Sequence, residues 1–216
     1  MGGRGQALGI FEIFGGNGEE LKFYDKTKQF SGLSLHEFED KIRGKGVEYM
    51  GVFDKDGNLM IAGTSYNEGG VSYPADIIDW SKAETLTHNH PNGGDRGIGG
   101  SFSAKDVSNA AKHNINVRAV ASGKGEHTYI LNKNREITSG DRKGLEKYIA
   151  KNYRKSKDIA RRDKARNTLI KNVTAKGRTP TEAEKNAAWL GMNKKNWKNR
   201  LEKYGYTYVE SKKPRW

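Results

Sequence analysis

The chain has 216 residues, 34% of them hydrophobic, and no cysteine, so it can bury one modest core and excludes disulfides and thiolate-held metal clusters. Any metal must be held by nitrogen and oxygen, which suits zinc and leaves other divalent ions open. The formal charge of +13 is uneven: from Lys133 onward there are 25 Lys+Arg against 9 Asp+Glu, while the preceding 132 residues carry 14 against 17.

Residues 1–19 are glycine-rich and predict a tail with one short strand at Ile10–Phe14. Leu35–Arg43 follows Ser34, with Glu37 three residues on, which predicts a capped short helix. Gly46–Phe53 alternates and meets Asp54-Lys-Asp-Gly57, after which Asn58–Thr64 resumes, so a hairpin is predicted. Gly69–Tyr73 reads as a strand and Pro74–Trp80 as a helix or loop. Glu84–His90 is a strand, and Ser103–Asn114 a helix with Ser103 as N-cap, Asp106 at its third position, and Val107, Ala110 and Ala111 as its apolar stripe. Ile115–Ser122 and Thr128–Leu131 are strands around the Gly123-Lys-Gly125 turn. Arg142–Val173 is helical and basic. Strands, a helix, then more strands predict an α/β (α+β) fold, a mixed sheet flanked by helices, over residues 20–135, with a basic all-helical extension over 140–216.

The run Thr87-His88-Asn89-His90-Pro91 carries the most chemical information. Histidines two apart on a strand face the same way. A carboxylate at the start of the following helix, Asp106 in Ser103-x-x-Asp106, can complete a three-ligand site for a divalent cation. Three protein ligands plus water is the open arrangement of catalytic zinc. The twelve residues between His90 and Ser103 include Gly93, Gly94, Gly97, Gly99 and Gly100, a long loop that reads equally as a lid gripping substrate or as the mark of a degenerate site. His36, His113 and His127 read as packing or surface residues.

Glu48, His88-x-His90-Pro91 and Ser103-x-x-Asp106 together resemble the metal motif of the JAMM (JAB/MPN) metalloprotease superfamily, over about residues 45–132. His-Asn-His-Pro resembles the RadC-like branch, and Thr87 through Ser122 is similar to small JAMM-like domains of phage and mobile elements. The resemblance implies a JAMM/cytidine-deaminase-like sheet and Zn2+ held by His88, His90 and Asp106. It implies Glu48 as the general base and Ser103 as the residue that steadies the oxyanion. Val47-Glu48-Tyr49-Met50-Gly51 is similar to the family's Glu-x-x-Gly context, with Glu39 and Glu12 as rival carboxylates.

In the basic third, Thr179-Pro180-Thr181-Glu182 predicts a helix start, Gly191 a stop, and Asn193–Tyr204 a second helix ending at Gly205. The pair, 180–204, resembles a helix-turn-helix with Asn193, Lys194, Lys195, Asn196, Lys198 and Arg200 toward nucleic acid. Tyr204, Tyr206, Tyr208 and Trp216 are available for base stacking or a small core, and Tyr206 and Tyr208 alternate like a short strand.

The expected function is zinc-dependent hydrolysis of a peptide or isopeptide bond, targeted by the basic region to nucleic acid. The alternative is a phage or mobile-element DNA-binding protein whose RadC-like metal domain is structural or acts as a nuclease. No apolar run spans a bilayer and the N-terminus lacks a signal peptide's apolar core, so a cytoplasmic location without a membrane partner is expected.

Overall fold

The computed structural model describes residues 11–14, 22–91, 101–121, 126–153, 156–182, 184–185, 188 and 197–212. In chain order these form β1 (Phe11–Phe14), β2 (Tyr24–Asp25), α1 (Thr27–Phe30), α2 (Leu35–Arg43), β3 (Tyr49–Asp54), β4 (Leu59–Thr64), β5 (Val71–Pro74), β6 (Ala83–Asn89), α3 (Ala104–His113), β7 (Asn116–Ala121), β8 (His127–Lys133), α4 (Ser139–Tyr153), α5 (Ser156–Thr174) and β9 (Tyr206–Lys212). Short 3-10 turns lie at Ala75–Ile77 and Glu202–Tyr204.

Among the described residues a mixed seven-stranded sheet runs β2-β4-β3-β6-β7-β8-β9, and β1 pairs separately with β5. Within the large sheet β6 and β7 are parallel and the other pairs are antiparallel. A parallel pair needs a crossover, and α3 supplies it. The carboxyl end of β6 therefore meets the amino end of α3, which brings the two halves of the His…Asp motif together.

Local chemistry sets these elements. Ser34 accepts from the Glu37 amide while Glu37 closes back on the Ser34 amide, so α2 opens with a complete capping box. Asp54 Oδ1 accepts the amides of Asp56 and Asn58, and Gly57 takes φ 81°, which turns β3 into β4.

The sheet is covered on both sides. Toward α2, Phe38 and Ile42 pack with Phe30, Tyr49, Phe53, Ala62 and Val120. Gly51 lacks a Cβ because one there would lie 2.8 Å from the Phe38 ring. Toward α3, Val107, Ala110 and Ala111 pack with Met50, Val52, Leu86, Val117, Ala119 and Leu131. Strand alternation sorts β6 the same way: Thr87 donates to Glu39 of α2, whereas Leu86 joins the α3-side core.

The basic C-terminal third is not all-helical. After α4 and α5 the chain returns as β9, which pairs along β8 from His127↔Lys212 to Lys133↔Tyr206. The edge strand of the large sheet thus comes from beyond the boundary expected between 135 and 140. Sequence polarity hid this, since β9 carries Thr207, Glu210, Ser211 and Lys212 beside its tyrosines. Its anchor is the buried Tyr206, whose hydroxyl donates to Ile115 O at 3.2 Å.

The expected second helix over 193–204 also differs. Trp197 is helical, 198–200 form a turn, and Asn199 adopts a left-handed φ of 61° that ends any helix there. Lys198 and Arg200 are exposed on that turn, while Asn193, Lys194, Lys195 and Asn196 lie outside the described residues. Within the helix start expected over Thr179–Glu182 the cap is Thr181: its Oγ1 accepts the Glu184 amide and Glu184 accepts the Thr181 amide. Among the described residues no helix is long and apolar enough to cross a membrane.

Candidate metal centre

His88 is near the end of β6, opposite Met50 of β3 and Ala119 of β7, with its side chain on the α3 side. His90 follows the strand, its amide still bonded to Val120 O at 2.8 Å, so the two-residue alternation persists through it. Their Nε2 atoms are 2.9 Å apart. Two ring lone pairs at that separation require something positive between them, a ring proton or a cation.

Asp106 is in the first turn of α3. Its Oδ2 accepts the Ser103 amide at 2.6 Å, and Ser103 Oγ accepts the Asp106 amide at 3.2 Å. This capping box leaves Asp106 Oδ1 facing His88 Nε2 at 3.7 Å with no hydrogen bond of its own. Donor atoms of His88, His90 and Asp106 all lie within 4.8 Å of one another, and the three residues are buried. Donors about 2.0–2.2 Å from one tetrahedral ion stand roughly 3.3–3.6 Å apart. The observed 2.9 and 3.7 Å bracket that spacing. The buried, unbonded Oδ1 is the kind of atom a cation would satisfy, so the residues fit the metal.

Glu48 joins the same face. It immediately precedes β3, and the β3/β6 register, Met50↔His88, extends to place Glu48 opposite His90. Its amide donates to Asn67 O at 2.8 Å, and its carbonyl accepts from Thr64 Oγ1 at 2.7 Å. The side chain is buried, and Oε1 has no hydrogen bond.

Burial sets the protonation. Loss of water pushes the Glu48 carboxyl well above the usual range, and the Asp106 charge adds to it. Burial raises Asp106 as well. The same loss of water holds the His88 ring well below its ordinary value, reinforced by His90, so it stays neutral, the form that binds a metal. A neutral ring and two carboxyls carry no positive charge of their own, which favours a cation among them.

The rival Glu39 is committed elsewhere. On the opposite side of the sheet it takes Arg118 in a two-point ion pair at 2.6 and 2.8 Å and accepts from Thr87. Glu12 belongs to β1, on the small sheet. Of the other histidines, His127 pairs with Glu210 at 3.1 Å, His113 stacks on Trp80 and His36 approaches Glu39. The glycine-rich loop lies, over 92–100, outside the described residues.

One contributor was missed in the sequence. Asn89, between the histidines, is fully buried and points to the α2 side, where its amide bonds the segment carrying Glu48. An asparagine on a buried strand, bracketed by alternating polar residues, was the available signal.

The fold and site define a mixed α/β protein with a buried His–His–Asp group and a second carboxyl, that of Glu48, beside it. No family model, no curated protein and no solved structure matches the chain.

Proposed function

We propose that the protein is a zinc-dependent hydrolase of peptide or isopeptide bonds, as the JAMM-like motif implies. The observation that carries it is the convergence of His88 Nε2, His90 Nε2 and Asp106 Oδ1 on one buried point beside the unbonded Glu48 Oε1. When bound, zinc supplies a Lewis acid and lowers the pKa of water held at its open position.

This chain's residues do the rest. The two imidazoles and Asp106 hold the ion, and the Ser103 cap fixes the carboxylate that reaches it. Glu48 is the proton acceptor: its carboxylate oxygen takes the proton of the attacking water and later returns it to the leaving amine. Burial raises its proton affinity in the metal-free fold, and a bound cation nearby would favour the carboxylate form that the first half of that task needs. Ser103 Oγ accepts from Asp106 N, which leaves its hydroxyl proton to be donated toward the developing oxyanion.

The test is zinc-loaded protein incubated with internally quenched linear peptides and with branched peptides joined through a lysine side chain. Cleavage that requires zinc and falls by about 10²–10⁴-fold in Glu48→Gln supports the reading. Absence of zinc-dependent cleavage of both sets, or full activity in Glu48→Gln, defeats it.

The charge of the C-terminal third favours a second element of the proposal, a polyanion partner such as nucleic acid. With 25 basic and 9 acidic residues from Lys133 onward, that region attracts phosphates whatever its secondary structure. Binding to duplex DNA is expected to weaken steeply between about 50 and 200 mM salt and to survive His88→Ala. Salt-independent binding, or none, removes this element.

A further inference from the structure

We propose that Asn89 is a positioning residue that sets Glu48 against the metal ligands, a role that rests on Glu48 being the proton acceptor proposed above. The main-chain ladder between β3 and β6 ends at Met50↔His88. At the next step the Tyr49 amide donates not to a carbonyl but to Asn89 Oδ1, at 2.7 Å. The same side chain donates through Nδ2 to Val47 O at 3.1 Å and to Lys45 O at 3.3 Å. One carboxamide therefore holds the chain on both sides of Glu48.

Three features make this more than ordinary strand packing. Asn89 is fully buried and its amide makes three bonds, all to one five-residue stretch. The paired register of β3 and β6 has ended here, so the side chain supplies the cross-strand bond to Tyr49 beyond the ladder, on the face opposite the one that carries His88. Alternation then divides the labour along the motif: His88 and His90 converge with Asp106 while Asn89, between them, points back and fixes the residue across from His90. Asn67 O and Thr64 Oγ1 bracket the Glu48 main chain from the other side, so its backbone has little freedom left.

The chemistry selects asparagine. Its oxygen must accept from one amide and its nitrogen must donate to two carbonyls. Aspartate keeps the first bond and loses the other two, and alanine loses all three. A misplacement on the order of 1 Å costs a reaction about 10²-fold in rate.

The experiment uses the full chain and compares Asn89→Ala and Asn89→Asp with wild type. The carbon-13 resonance of the Glu48 carboxyl, read at one pH with and without zinc, is expected to move in both variants while that of Glu84 stays in place. Zinc stoichiometry is expected to be unchanged. With the quenched peptide pool as probe, kcat should fall about 10²-fold with KM little altered, less in Asn89→Asp than in Asn89→Ala. The double variant Asn89→Ala/Glu48→Gln should be no slower than Glu48→Gln alone, because a residue acting through Glu48 has nothing left to position. A Glu48 resonance that stays put in a folded Asn89→Asp protein, or additive losses in the double variant, overturns the proposal. Failure of wild type to bind zinc or cleave peptide overturns the hydrolase reading instead, and the carboxyl resonance still decides whether Asn89 sets Glu48.

Discussion

Asp106 divides its carboxylate between two tasks: Oδ2 closes the cap of α3 on the Ser103 amide at 2.6 Å, and Oδ1 faces His88 Nε2 at 3.7 Å. The two tasks can be separated by substitution. An asparagine side chain at this position would keep an oxygen for the cap but present a neutral amide to the histidines. Metal-free Asp106→Asn is expected to melt no lower than wild type, since a buried carboxyl and its raised proton affinity are removed. Its zinc affinity should fall by at least about 10²-fold, beyond the roughly 10–100-fold typical of residues outside the ligand set. Calorimetry and zinc titration check the pair of outcomes; a large loss of melting temperature with zinc affinity retained would reverse the assignment.

Glu48 makes the metal-free protein sensitive to pH with a definite sign. Its carboxyl is raised in the folded state by burial and by Asp106. Above the ordinary glutamate value the unfolded chain gives up this proton more readily, so the folded state loses stability as pH rises toward the folded value. Glu48→Gln removes that loss. The melting temperature of the variant minus that of wild type, both metal-free, should be near zero at about pH 4 and should widen toward neutrality, by about 2–4 °C for each kcal/mol. A difference that stays flat or narrows with rising pH would show that Glu48 is not held protonated in the fold.

Trp197 joins the C-terminal segment to the site. It is fully buried and its Nε1 donates to Phe102 O at 2.9 Å, directly before Ser103. Trp197→Ala should cost about 3–5 kcal/mol through the cavity and the lost hydrogen bond to Phe102 O. Trp197→Phe should cost less. Denaturant unfolding checks both, and an unchanged midpoint in Trp197→Ala would mean that the segment is not docked there. A chain ending near Ser139 lacks β9 and exposes β8, so it is expected to aggregate and not to persist as a folded metal domain.

Much of the site was legible because its signals are local. A capping box needs only two residues three apart, and Ser34/Glu37 and Ser103/Asp106 both form one. Alternation over Leu86-Thr-His-Asn-His90 gave the shared direction of the histidines, and hydropathy gave the β3–β4 hairpin. What escaped depends on distant partners. The alternation of Tyr206 and Tyr208 hints at a strand, but Tyr206–Lys212 becomes one because β8 offers it an edge, and no local pattern announces that pairing. Asn199 adopts a left-handed φ of 61° where a helix was expected to continue, and asparagine is among the few residues that enter that region at small cost. The two-residue strand β2 and the single turn of α1 are too short to leave a period. The partners of Asn89, which are Lys45, Val47 and Tyr49, lie 40 to 44 residues earlier, so its bonds are not written in any local pattern.

The most direct measurement is metal content by mass spectrometry of the purified chain after zinc loading and desalting, in wild type and His88→Ala. About one zinc per wild-type chain and essentially none in the variant is the predicted result. Equal zinc in both proteins, or none in either, would contradict a centre built on His88, His90 and Asp106.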